Sequence, residues 1–275
     1  MAVDTASRPG LPTIGWLPRY GELLRTLIRR ELRQRFKGSA LGLFWSLIYP
    51  LAMMGVYTLV FSVLWKVTGN IPHYPLFVLS GLAVWGFFQA GIQLGTTSLV
   101  SNGELIKKVW FPRELVVVAT VLAQTISIGV MLAILIPADL IVEPGNARTL
   151  ALAIPIMAAL VCLALGLAWL LSVANVFFRD VEHLLGVLFL PWFFLTPVLY
   201  GLQQLPAAAQ HAWLIDLLRY GNPVTPYVEG LRAVILQATV PGPVLLLYIF
   251  LVGPALALVG LWVVQHYDDR FAIEL

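Results

Sequence analysis

The sequence predicts an all-α membrane protein. Six transmembrane helices are preceded by an amphipathic helix at the membrane interface, and short re-entrant or surface helices come before the last span. Three observations carry this reading. Of the 275 residues, 60% are hydrophobic and only 11% are charged. Soluble domains carry about 25% charged residues, so this chain has too few polar side chains to cover a water-facing surface. The apolar residues also fall in runs long enough to cross a hydrocarbon core of roughly 30 Å, which takes about 20 helical residues. Finally, Lys and Arg gather beside those runs, mostly on one side.

The elements follow in chain order. Residues 16–37 form an amphipathic helix. Trp16, Leu17, Tyr20, Leu23, Leu24, Leu27 and Ile28 share one half-circle, and Arg19, Glu22, Arg25, Arg29, Arg30, Arg33 and Lys37 share the other. Such a helix lies along a membrane surface with its cations toward anionic lipid. Glu31 and Arg35 break the pattern, because both project on the apolar half at a spacing that permits an ion pair. A charged pair left in lipid is costly, so this end of the helix is expected to pack on protein.

Spans follow at 41–65, 76–100, 115–137, 149–178, 184–201 and 243–265, with Pro50 and Pro155 inside spans. Between the last two, Pro206, Pro223, Pro226 and Pro241 cut the chain into pieces near 207–220 and 225–237, each too short to cross. The whole is read as a single unit, 1–275: a cytoplasmic segment 1–38, five spans over 41–201, outer re-entrant helices over 202–242, the sixth span and a cytoplasmic tail, 266–275. Six spans put thirteen Lys and Arg on the side of the termini and four on the other, so both termini are expected in the cytoplasm. No cleavable signal peptide is expected, since residues 1–15 lack an apolar core.

The formal charge of +3 does not point to nucleic acid, because the cations follow the membrane topology. One cysteine, Cys162, permits neither a disulfide within the chain nor a cysteine-based metal site. There is no GxxxxGK[ST] phosphate loop, no HExxH and no GxSxG. The acidic pair Asp268-Asp269 reads as solvated tail. The His211-x4-Asp216 spacing matches that of glycerolipid acyltransferases but sits on the outer side, away from cytoplasmic acyl donors. Catalysis and a resident metal are therefore not expected.

Polar groups within spans say more. Gln89, Gln93, Thr96 and Thr97 share one face of the second span, and Thr120, Gln124 and Ser127 one face of the third. Such faces point into protein or a cavity, and helix–helix hydrogen bonding alone would also account for them. On the first span, Trp45, Tyr49, Met53, Tyr57, Phe61 and Trp65 recur every four residues. The ridge drifts round the helix, so only part of it faces any one channel. Aromatic faces stack on the C–H faces of sugars and let them slide; interface anchoring by Trp and Tyr is the plainer alternative.

Taken in order, several segments resemble the transmembrane subunit of bacterial ABC exporters for polysaccharides and polyol phosphates, which handle O-antigens and teichoic acids. They are RRELRQRFKGSALGLFWSLIYP (29–50), NGELIKKVWFPRE (102–114), FFRDVEHLL (177–185), FFLTPVLYG (193–201) and GNPVTPYVEGLR (221–232). The resemblance implies a homodimer in a bacterial inner or plasma membrane, paired with two copies of an ABC nucleotide-binding subunit that holds ATP and Mg. A polyprenyl-diphosphate-linked polymer would pass between the two permease copies. It implies an ATPase-coupling helix over Asn102, Glu104, Lys107, Lys108, Val109, Trp110, Phe111 and Arg113. Within that segment, Ile106, Val109 and Trp110 fall at helical spacing and are read as one apolar docking face. The resemblance also makes the N-terminal helix a gate, with Glu31, Arg29, Arg30, Arg33, Arg35 and Lys37 placed to meet diphosphate. The substrate path is read as Trp45, Tyr49, Tyr57, Phe61, Gln89 and Gln93. Two other readings stay open: an exporter of drugs or small lipids on the same fold, and a membrane enzyme using polyprenyl-linked sugars.

Overall fold

The computed structural model describes residues 17–39, 42–66, 71–109, 111–205 and 211–274. Among these the regular structure is helical, with no strand. Five helices are long and apolar enough to cross a membrane, and a sixth, Val181–Leu195, is apolar but shorter. The chain is a multi-pass membrane protein.

The amphipathic helix is α1, Leu17–Phe36. Leu27 is buried, Leu23, Leu24 and Ile28 pack beside it, and Arg29, Arg30 and Arg33 are exposed. A left-handed Gly38 (φ 76°) turns the chain back beyond the helix end. The first span is α2, Trp45–Tyr57, which widens into a π-helix over Thr58–Leu64. Trp65 N donates five residues back to Val60 O (2.9 Å). This span packs little on the rest of the chain and exposes Trp45, Tyr49, Val56, Leu59, Val63 and Trp65.

The core is built by α3 (Tyr74–Ser101), α5 (Glu114–Val142), α6 (Ala153–Phe177) and α10 (Pro243–Glu274). Between α3 and α5 sits the short α4, Gly103–Lys108. Pro155 falls in the first turn of α6, where its missing N–H has no helical partner to lose. Helices α6 and α10 touch backbone to backbone: a Cβ added at Gly166 would lie 2.6 Å from Ala257 N, and one at Gly260 would lie 2.5 Å from Gly166 O. Without a hydrophobic drive between helices in lipid, such small-residue contacts carry the packing.

The fifth predicted span, 184–201, differs from expectation. Its helix, α7, covers Val181–Leu195, and the chain then runs extended from Thr196 (φ −90°, ψ 132°). Pro197 causes the break, because it disfavours the helical region for the residue before it. At about 22 Å the helix is shorter than the hydrocarbon core. The freed carbonyls all find donors. Thr196 N donates to Trp192 O and Phe193 O, and Val198 N to Thr196 O. Tyr200 Oη donates to Phe194 O, Asn222 Nδ2 to Leu195 O, and Tyr74 Oη to Leu199 O. Arg232 donates to Pro197 O and Val198 O.

Beyond it lie α8 (Ala212–Asp216), a π-turn (Leu217–Gly221) and α9 (Thr225–Leu236), all too short to cross, as the prolines predicted. Most of the predicted 207–220 piece is described; residues 206–210 lie outside the described residues.

Gly166→Val should separate α6 from α10 and cost about 1–3 kcal/mol through overpacking. Thermal unfolding of detergent-solubilised protein should show a lower midpoint than wild type, while Gly129→Val, where an added Cβ meets nothing within 4 Å, should unfold much closer to it.

Candidate functional site

A cleft of about 860 Å³ opens between α2, α3, α5 and α7. It collects most of the residues expected on the substrate path. Trp45, Tyr49 and Tyr57 line it from α2, and Gln89 and Gln93 from α3. Phe61 does not line it; its ring packs between Tyr57 (6.4 Å) and Trp65 (5.4 Å). The expected polar faces divide. Gln124 and Ser127 reach the cleft, whereas Thr96 is buried and Thr120 Oγ1 donates to Val116 O on its own helix (3.0 Å).

Three wall residues were not singled out in the sequence: Trp85 on α3, and Phe189 and Phe193 on α7. Tyr57 stacks on Phe193 at 6.0 Å, and Trp85 meets Phe193 edge-on at 5.6 Å, so α2, α3 and α7 share one aromatic wall. Trp85 Nε1 donates to Gln89 Oε1 (2.8 Å), which fixes both side chains. Their spacing on α3, four residues apart, was visible, but the wall needs α7, and no pattern along one helix reports its neighbour.

One end of the cleft is marked by Arg35 and Ser39. Arg35 reaches Gln124 of α5, its Nη1 donating to Oε1, which docks the end of α1 on protein as the misplaced charges suggested. Burial lowers the pKa of the Arg35 guanidinium. Glu31 is half-buried one turn earlier; burial raises its carboxyl pKa, partly opposed by Arg30. Arg29, Arg30, Arg33 and Lys37 remain exposed.

The segment 102–113 departs from expectation in its face. Asn102 is buried and opens α4, its carbonyl accepting from Leu105 N and Ile106 N. Glu104 and Lys108 pair at 2.9 Å on the surface, a contact worth little, and Lys107 is exposed. Helix α4 ends at Lys108, and Val109 is extended (φ −132°, ψ 134°). Ile106 (5% exposed) and Phe111 (3%) turn into the core, whereas Val109 is 54% exposed. Trp110 lies outside the described residues. Ile106 and Val109 therefore do not share the expected helical face, because α4 ends before Val109 and Ile106 is taken by the core. Arg113 also turns inward. Its Nη1 lies 3.6 Å from Asp268 Oδ1 and its guanidinium over the Phe271 ring, while Gln265 Nε2 donates to Glu114 Oε1 (3.1 Å).

With this geometry in hand, comparison with known proteins gives one family. The family model described as ABC-2 type transporter matches residues 22–236. The chain belongs to the ABC-2 type transporter family. It is 28% identical over 225 residues to an O-antigen export system permease protein RfbA of Myxococcus xanthus, covering 82% of this chain and 84% of that protein. An RfbA of Klebsiella pneumoniae is 26% identical over 252 residues, 91% of this chain and 94% of that one. The polysialic acid transport protein KpsM of Escherichia coli is 21% identical over 220 residues, 80% and 81% of the two chains.

The reassigned segment sets up a clean contrast. Phe111→Ala should destabilise the protein by about 3–5 kcal/mol, as for other buried Phe truncations, and lower its amount in the membrane. Val109→Asp, at an exposed extended residue, should leave membrane abundance and melting temperature at wild-type values.

Proposed function

We propose that the chain is the permease subunit of an ATP-driven exporter. Its cargo is a polysaccharide or teichoic-acid-type polymer on a polyprenyl diphosphate, moved from the cytoplasm across a bacterial inner or plasma membrane. The observation that carries the reading is the cleft, whose aromatic wall stands beside glutamine amides within an ABC-2 fold. Rings hold sugar C–H faces without fixed bonds, and amides exchange hydrogen bonds with successive hydroxyls, so a long chain advances without a deep trap. The names of the similar permeases support a polysaccharide cargo.

The bias of cations places α1, α4 and both termini in the cytoplasm. Arg29, Arg30, Arg33 and Lys37 then face the inner leaflet, where they attract diphosphate and anionic lipid alike, and Arg35 stands at the cytoplasmic mouth of the cleft. Helices α2 and α7, which both line the cleft, carry exposed apolar residues, among them Ile48, Val56, Val187 and Phe194. A second copy of the chain against them turns two clefts into one enclosed path. ATP and Mg belong to a separate nucleotide-binding subunit, two copies per dimer, which docks on the exposed Glu104, Lys107, Lys108 and Val109.

Two measurements test this. Purified permease should hydrolyse no ATP, and addition of the cognate nucleotide-binding subunit should produce vanadate-sensitive hydrolysis. Val109→Asp should abolish co-purification of that subunit; hydrolysis by permease alone, or normal co-purification with the variant, goes against the assignment.

Within the cleft, Tyr49→Ala should cut polymer export several-fold while the subunits still co-purify. Polymer at the cell surface, scored beside the amount of assembled complex, reads the difference. Unchanged export reduces the ring to packing.

A further inference from the structure

A second cleft, of about 610 Å³, lies at the end of the molecule opposite α4 and shares no residue with the first. It is bounded by the start of α3, the extended chain after α7, and the π-turn and α9. Its charged groups are balanced. Arg219 pairs with Glu229 through two bonds, Nε to Oε2 (2.7 Å) and Nη2 to Oε1 (3.1 Å). Arg232 is 3% exposed and its donors go to Ser80 Oγ and to the carbonyls of Phe77, Pro197 and Val198. Asp139 accepts from Asn146 Nδ2 (2.8 Å). Two cations against two anions give an ionic ligand little net attraction.

The groups still available suit a neutral ligand rich in hydroxyls. The amides of Gln203, Gln204 and Gln237 line the cleft and are exposed. The Arg219–Glu229 pair uses Nε and Nη2 and leaves the Nη1 donors, and each carboxylate oxygen keeps a lone pair for an O–H donor. Tyr220 adds a ring, and Pro197, Pro241 and Pro243 stiffen the walls. Paired carboxylate and guanidinium, terminal amides and a ring in a preformed cleft are the chemistry of saccharide recognition.

We propose that this cleft is a second saccharide-binding site, which takes one or two neutral sugar units of the polymer on the exit side of the membrane. The inference rests on the export reading, because only that reading delivers sugar to this face. A grip beyond the end of the main path disfavours backsliding between strokes of the motor.

The test uses a photoreactive benzoylphenylalanine placed singly at Gln204, Gln237, Tyr49 or Ala147 in cells making the polymer with the complete exporter. Ala147 is exposed near the same face but does not line the cleft. Carbohydrate staining of the purified permease reads the crosslinked product. Strong crosslinking is expected at Gln204, Gln237 and Tyr49, with little at Ala147. Adding Ala233→Phe, which fills the second cleft from α9, should abolish the product at Gln204 and leave that at Tyr49. Crosslinking at Tyr49 alone, equal crosslinking at Ala147, or a product at Gln204 that survives Ala233→Phe overturns the site and spares the export reading. No crosslinking at any position overturns both.

Discussion

A helix that stops inside a membrane must find partners for its last carbonyls, and the break after α7 meets that demand mostly with side chains. Oxygens from Trp192 to Leu199 all accept hydrogen bonds, with donors that include Tyr74, Tyr200, Asn222 and Arg232. In hydrocarbon each of these oxygens left bare costs several kcal/mol, so the donors must be present together with the break. Arg232 does most. It joins α9 to α3 through Ser80 and Phe77, and to the extended chain through Pro197 and Val198, with its guanidinium 3.5 Å from the centre of the Phe77 ring. Gly81 makes room for it: a Cβ there would lie 2.6 Å from Arg232 Nη2. Asn222 completes the seam by accepting from Trp192 Nε1 (3.0 Å) and donating to Thr196 Oγ1 (2.9 Å).

This seam divides the molecule by rigidity. Helices α3, α5, α6 and α10 bury their faces against one another, and α9 is tied to them by Arg232 and by Tyr227 Oη on Ile249 O (3.0 Å). Helix α7 is anchored at both ends, at the start where Glu182 N donates to Asn175 Oδ1 (3.2 Å) and at the finish by Asn222. The first span has no comparable tie. Its residues are exposed or half-buried apart from Ser46, and its clearest attachments are ring contacts such as Tyr57 on Phe193.

Much of this was legible from the sequence and some was not, for definite reasons. Apolar runs located the spans because hydrocarbon thickness imposes length, and α1 could be read because one residue pattern separates its two faces. The misplaced Arg35 announced a protein contact, although Gln124 as its partner could not be foreseen. Arg232 was the reverse case. Counted among the outer cations it looked like a topological marker, yet it is buried, because a short helix after a chain break places it beside free carbonyls. The segment 102–113 misled through its spacing. Ile106, Val109 and Trp110 are arranged as a helical face, but α4 ends at Lys108 and Ile106 and Phe111 are taken by the core. Periodicity reports a face only where a helix is long enough to own one.

The inward turn of Arg113 and Glu114 has a mechanical consequence. Both meet α10, through Asp268, Phe271 and Gln265, and Trp169 Nε1 of α6 donates to Glu114 O (3.3 Å). The α4 segment is thus fastened to the same block that α6 and α10 form across their glycine contacts. Phe111, buried in the core, and the contacts of Arg113 and Glu114 link the segment to that block, and close-packed interiors deform little. Through Arg232 the block continues to α9 and the chain beyond α7. Of the five candidate spans the first is the least buried, so its displacement would break the fewest buried contacts. It carries Trp45, Tyr49 and Tyr57, so movement of the block against α2 changes the width of the cleft between them.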